Sequence, residues 1–186
     1  MQGMKTQTKC RICRSEKLVE FLNLGMQPLA NSFLSNTAGA DNEPMYPLRV
    51  MYCTVCNLCQ LGEVVDPEIL FRNYVYFSSG MPSSPHYTAY AVQVVARFTT
   101  SPKDMVVEIG SNDGHLLMEI QKRDVNVLGV DPARNIAMQA CMRGVETLPE
   151  FFSEQLARKI REQHGAAQVI IGNNVVAHID DHHDLM

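Results

Sequence analysis

No stretch of the 186-residue chain holds the roughly 20 successive apolar residues that a membrane-spanning helix needs. The opening residues, Met1 to Lys9, are polar and carry no apolar core, so they do not read as a secretory leader. A cytoplasmic protein with no membrane partner is the expectation. Cations are not in excess: 16 Lys and Arg face 20 Asp and Glu, and the net charge is −4. Scattered basic residues in an acidic chain argue against nucleic acid as the main partner. There is no internal repeat and no low-complexity run. A dinucleotide fingerprint is also lacking. The pattern G-x-G-x-x-G, started at Gly110, would need glycine where Asn112 and His115 stand.

The cysteines are present in number, and without an export signal they point to metal or free thiols rather than disulfides. Cys10-Arg11-Ile12-Cys13 and Cys53-Thr54-Val55-Cys56 are two C-x-x-C knuckles separated by 39 residues. Each knuckle aims two sulfurs at one point, and four thiolates close a tetrahedral zinc site. A redox reading would need one C-x-x-C inside a βαβ unit, which this region lacks. The long interval calls for an inserted excursion, with Leu24 to Leu34 as an ordered loop. Tyr46, Leu48, Val50 and Tyr52 alternate with Pro47, Arg49 and Met51, the pattern of a half-buried strand. Leu58 to Val65 can return beside it. Cys59 continues the spacing and could exchange as a ligand, although packing in a strand is the simpler expectation. Cys141 is expected as a core thiol on the inner face of a helix.

The rest of the chain is organised around residues 106–117, Val-Val-Glu-Ile-Gly-Ser-Asn-Asp-Gly-His-Leu-Leu. They read as a strand ending near Glu108, a turn punctuated by Gly110 and Gly114, and a helix start, a geometry that brings backbone N–H groups close to a ligand. Val125 to Val130 reads as the next strand, and Asp131 at its tip is placed to accept ribose hydroxyls. A helix from Pro85 carries Tyr87, Tyr90, Ala91, Val94, Val95 and Phe98 on one face. Further helices follow Pro132 and Ser153, closed by Gly144 and Gly165, and Val145 to Leu148 and Gln168 to Ile171 supply two more strands. This βαβαβαβ order demands a parallel sheet with right-handed crossovers.

Two segments outside these elements are candidates for binding. Phe71 to Gly80, followed by Met81 to His86, is rich in aromatics and hydroxyls; it suits either a ligand or a domain seam. Gly172 to Ile179 follows the fourth strand, which lies beside the first in such a sheet. His178 there could serve as acid, base or donor, or be a surface histidine. Asp180, Asp181 and Asp184, with His182 and His183, read as a solvated helix start.

In this order the two knuckles, Tyr74-Val75-Tyr76-Phe77-Ser78-Ser79, Glu108 to Gly114, Gly129-Val130-Asp131-Pro132 and Asn173-Asn174-Val175-Val176-Ala177-His178-Ile179 resemble the zinc-containing sugar C-methyltransferases of deoxysugar biosynthesis. The resemblance implies an α/β chain in two parts: a zinc-binding domain over 1–70, then over 71–186 the first half of a Rossmann-like class I S-adenosylmethionine-dependent methyltransferase sheet. It implies S-adenosylmethionine and zinc as cofactors and a nucleotide-linked 4-keto deoxysugar as substrate, methylated through an enolate. Carried over residue by residue, Cys10, Cys13, Cys53 and Cys56 hold the metal. Glu108, Gly110, Asn112, Gly114, Asp131 and Asn173 line the donor site, and His178 and Tyr76 act on the sugar.

The chain departs from that family in two ways. Asn112 stands where the middle glycine of the turn is usual. The sheet is expected to stop after its fourth strand, so the chain reads as the N-terminal part of such an enzyme, inactive alone. A zinc-containing NAD-dependent reductase and a non-catalytic zinc module are the rival readings.

Overall fold

The structure is a computed structural model that describes residues 3–34, 36, 42–80 and 84–186. The chain divides into two units. One comprises residues 1–71 with 180–183, and the other residues 72–179 with 184–186.

The first unit is built from β1 (Met4–Thr6), β2 (Leu18–Pro28), β3 (Met45–Cys53), β4 (Cys59–Leu61), β5 (Glu63–Val65) and the short α1 (Pro67–Phe71). β2, β3 and β4 form an antiparallel sheet in that order, and β1 pairs with β5. The segment expected as a loop from Leu24 is strand as far as Pro28, which pairs with Met45. Register shifts between Glu20 and Leu22 and between Asn23 and Met26 absorb the extra residues there. Gly25, at φ +71°, lies within the second of them. β3 forms as expected, but Tyr46 to Tyr52 are all partly covered, without the alternation the sequence suggests. Of this unit's described apolar residues, only Cys10 and Cys53 are buried. So small a unit without an apolar core needs another source of cohesion.

Polar side chains do part of that work. The buried Gln60 accepts from the Arg11 N–H at 2.9 Å and donates to the Lys9 carbonyl at 3.1 Å, joining the first knuckle to β4. Glu63, also buried, accepts from Arg49. Residues 180–183 belong to this unit too. Asp180 accepts from Lys5 and Gln7, Asp181 accepts from Arg14, and the His183 ring N–H donates to the Ile12 carbonyl. These acids are therefore ion-paired rather than simply solvated. Asp181 also receives the His183 N–H at the start of the short helix His182–Leu185, as a helix cap would.

The second unit contains α2 (Ser84–Phe98), β6 (Met105–Ile109), α3 (His115–Gln121), β7 (Asn126–Val130), α4 (Arg134–Met142), β8 (Thr147–Leu148), α5 (Glu154–His164) and β9 (Val169–Ile171), with the last two residues of α6 (His182–Leu185). Its four strands are parallel in the order β8-β7-β6-β9. All five residues of β6 are buried because both faces of the sheet are covered. Val106 packs with Ala91 and Val94 of α2, Leu116, Leu117 and Ile120 of α3, and Ala140 of α4. Met105 and Val107 turn the other way, onto Leu128, Val130 and Ile160 of α5. Helix ends follow the sequence signals. Ser153 Oγ accepts the Leu156 N–H, and Gly165 closes α5 at φ +92°. Among the described residues no helix is long and apolar enough to cross a membrane.

Candidate functional site

The two knuckles have the same build. Cys10 N–H donates to Ser15 O and Cys53 N–H to Leu58 O, at 2.8 and 2.9 Å. The residue four places on, Arg14 or Asn57, returns its N–H to the cysteine carbonyl with φ of +61° or +64°. This fold turns both sulfurs of each pair to one side. All four sulfurs lie within 4.8 Å of one another, with Cys10–Cys56 at 3.5 Å and Cys13–Cys53 at 3.6 Å. Four sulfurs about 2.3 Å from a tetrahedral zinc stand about 3.8 Å apart, so the cluster fits that ion. The Cys56 and Val55 N–H groups hold the Cys53 thiol down to about 6, while desolvation and the neighbouring sulfurs push the Cys13 thiol up to about 12, so the four sulfurs share their negative charge unequally. Cys59 is outside the cluster and exposed, not packed in a core. Cys141 is exposed as well; its thiol donates to the Thr147 carbonyl at 3.6 Å, beyond the buried stripe of Ile136, Ala137 and Ala140.

In the second unit the candidate residues gather at the carboxyl ends of β6, β7 and β9. Glu108 pairs with Gly129 of β7 and Ile171 of β9 in register. It is 5% exposed, and Asn173 is its side-chain hydrogen-bond partner. Tyr90 Oη donates to Asn173 Oδ1 at 3.3 Å, so a polar chain runs from α2 through the exit of β9 to β6. Burial pushes the Glu108 carboxyl up to about 8, against the Asn173 hydrogen bond and with help from the nearby Asp131 charge. Glu108 Oε2 is buried without a partner. Asp131 is raised as well, again by burial. Its two oxygens accept the N–H groups of Asn112 and Ala133, both at 2.9 Å.

Glycine is required at the turn for close approach. Gly110 has φ +64°, and a Cβ there would come 2.5 Å from Val175 of the segment leaving β9. Gly114 has φ +74° and faces Val145 at 3.1 Å. Asn112 keeps the left-handed φ, +52°, that asparagine tolerates better than most residues. Its side chain is engaged with the aromatic segment. Oδ1 accepts the Ser78 N–H at 2.8 Å, and Nδ2 donates to the Tyr76 carbonyl at 3.0 Å. Asp113, fully buried, accepts from Arg143 at 2.6 Å and from the Ser79 N–H at 3.3 Å.

Tyr76 is thus brought to the glycine turn by its backbone, while the residue stays 44% exposed. Part of the expected binding stretch, residues 81–83, lies outside the described residues. His178 ends a short 3-10 turn, Val176–His178, six residues beyond Gly172 and exposed. No sequence pattern marks Tyr90 as a partner of Asn173, nor Asn135, whose amide pairs with both backbone groups of Tyr74. Partners 61 or more residues apart leave no local pattern.

Residues 10–71 match a protein-family model described as "Putative zinc binding domain". Over 179 residues the chain is 36% identical to the C-methyltransferase NovU of Streptomyces niveus. The match takes in 96% of this chain and 43% of that protein, so the chain spans less than half the length of this relative. Both findings agree with the resemblance carried by the motifs. Among solved structures, the plantazolicin methyltransferase BpumL with SAH aligns over 53% of the chain at 13% identity and TM-score 0.38. A SAM-dependent methyltransferase from Archaeoglobus fulgidus aligns over 41% at 16% identity and TM-score 0.34.

Proposed function

We propose that this chain supplies the metal-bound domain and the donor-binding half of an S-adenosylmethionine-dependent C-methyltransferase, whose substrate is a nucleotide-linked 4-keto deoxysugar. The observation that carries the reading is the convergence of Glu108, the Gly110–Gly114 turn, Asp131 and Asn173 where the strand order reverses. β7 lies on one side of β6 and β9 on the other. Ligands of parallel α/β sheets bind outside the carboxyl ends at that reversal. Two buried carboxyls there suit a ligand that brings hydroxyls and positive charge. The 36% identity to a named C-methyltransferase supports methyl transfer over hydride transfer, and the failed dinucleotide fingerprint points the same way.

The donor's sulfonium carries an activated methyl group. Asp131, at the tip of β7, holds the ribose hydroxyls with the oxygen lone pairs left over from Asn112 and Ala133. Glu108, Asn173 and the backbone of Gly110, Asn112 and Gly114 line the remainder. The carbon to be methylated is acidic because the adjacent ketone stores charge as an enolate. A phenol such as Tyr76 steadies that oxygen by donating to it, and the His178 imidazole moves a proton at the sugar. Geometry supplies much of the rate, since a held acceptor carbon meets the methyl in line. The test is titration calorimetry of this chain with S-adenosylmethionine and with NAD, followed by a methyl-transfer assay of the complete enzyme on a nucleotide-linked 4-keto deoxysugar. Binding of NAD alone would overturn the reading.

A further inference from the structure

Residues 72–79 run past the residues that follow β6, β7 and β8 as a strap, tied by side-chain hydrogen bonds and by the Arg134 N–H, which donates to the Arg72 carbonyl at 3.3 Å. Arg72 donates to the carbonyls of Pro132 and Pro149, at 3.3 and 3.0 Å. Asn135, in the first turn of α4, accepts the Tyr74 N–H at 3.4 Å and donates to the Tyr74 carbonyl at 2.9 Å. Asn112 treats the Tyr76 carbonyl and the Ser78 N–H in the same way. A primary amide has one donor edge and one acceptor edge, spaced like those of a peptide group. Two asparagines therefore stand in for the neighbouring strand that residues 74–78 lack. No aspartate, alanine or glycine could do both jobs.

The geometry points to Asn112 and Asn135 as positioning residues, a pair of amide latches that fix the strap so that Tyr76 is presented at the glycine turn. This rests on the function proposed above, and it assigns the Asn112 side chain to the strap rather than to the donor. It also gives a reason for asparagine at a position where glycine would satisfy the backbone. At φ +52° glycine is free of strain, so Asn112→Gly removes the latch without disturbing the turn. Asn112→Asp keeps the acceptor for Ser78 and loses the donor to Tyr76.

Two measurements test the proposal. Amide hydrogen exchange of the protein should show the Ser78 N–H of Asn112→Gly, and the Tyr74 N–H of Asn135→Ala, exchanging at least about tenfold faster, with β6 and α3 unchanged. In the methyl-transfer assay of the complete enzyme Asn112→Gly should lose about 10²-fold in kcat with the donor Kd within about twofold, because a reacting group misplaced by an ångström costs that much. Asn112→Asp should fall between. Combined with Tyr76→Phe, Asn112→Gly should add less than about twofold, since one residue acts through the other. Donor affinity lost with turnover intact, or full additivity with Tyr76→Phe, would overturn the positioning role, as would unchanged exchange at Ser78. A complete wild-type enzyme that binds the donor and transfers no methyl would sink the reaction proposed above, while the exchange data on this chain would still decide whether the two amides hold the strap.

Discussion

The Asn112 N–H donates to Asp131 Oδ2 at 2.9 Å, tying the turn after β6 to the tip of β7. With Ala133 N–H on the other oxygen, the carboxylate is both the scaffold of the turn and the acid nearest the proposed ribose. The ribose role is legible from its place at the end of a strand; the scaffold role is not.

Asp131→Ala should therefore weaken S-adenosylmethionine binding by about 1.5–3 kcal/mol, the range for a hydrogen bond to a charged group. Calorimetry on the variant and on Asp131→Asn separates the two roles. Asparagine keeps an acceptor for the Asn112 N–H, so a donor affinity equal to wild type in Asp131→Asn would mean the carboxylate serves the scaffold only.

Glu108 makes stability depend on pH. Its folded-state value is raised from the ordinary 4.5 to about 8, so between these values the folded chain binds more protons than the unfolded one. Stability contributed by the neutral carboxyl is present in full below pH 4.5. It declines as pH rises and levels off above about 8. Denaturant midpoints measured over that window should fall more steeply for the wild type than for Glu108→Gln, which cannot ionise and retains a partner for Asn173. Parallel curves would show that the carboxyl is not protonated in the folded state.

The zinc unit should hold one metal ion and depend on it. Burying only Cys10 and Cys53 among its described apolar residues, it draws its cohesion from the metal, on the order of 10 kcal/mol. Chelation is expected to open residues 1–71 to protease while the parallel sheet remains protected. Metal analysis giving no zinc, or Cys13→Ser keeping the wild-type content, would contradict this.

Gly129 has no room for a side chain. A Cβ there would stand 2.5 Å from Ser111 Oγ and 2.6 Å from Thr147 Oγ1. Gly129→Ala should lower stability by about 1–3 kcal/mol, as overpacking does, read as a shift in the thermal midpoint. A change under about 0.5 kcal/mol would mean that the two hydroxyls simply turn aside.

In the enzyme, His178→Asn and Tyr76→Phe should reduce kcat by about 10²–10⁴-fold with little change in donor affinity. Methylation rates and donor binding, measured separately, check both halves. Wild-type turnover in both variants would return these residues to a surface role.

The sequence alone determined what rests on local chemistry and period. The knuckle spacing set the four thiols, the apolar period set α2, α3 and α4, and glycine with small polar residues set the turn between β6 and α3. Parallel strand order followed, because βα alternation leaves the chain few other ways to bury both faces of a strand such as Met105–Ile109. Only the tertiary structure decided the rest. The extension of β2 past Leu24 depends on pairing with β3, a partner about twenty residues away that overrides the loop preference of Gly25 and Pro28. Cys141 falls just outside a buried stripe whose edge depends on where the sheet stops, a fact no helical period contains. The strap is the clearest case. Asn112 and Asn135 pair with Tyr76, Ser78 and Tyr74 across 34 to 61 residues of chain, and a side-chain amide leaves no trace in sequence of which distant peptide group it will meet.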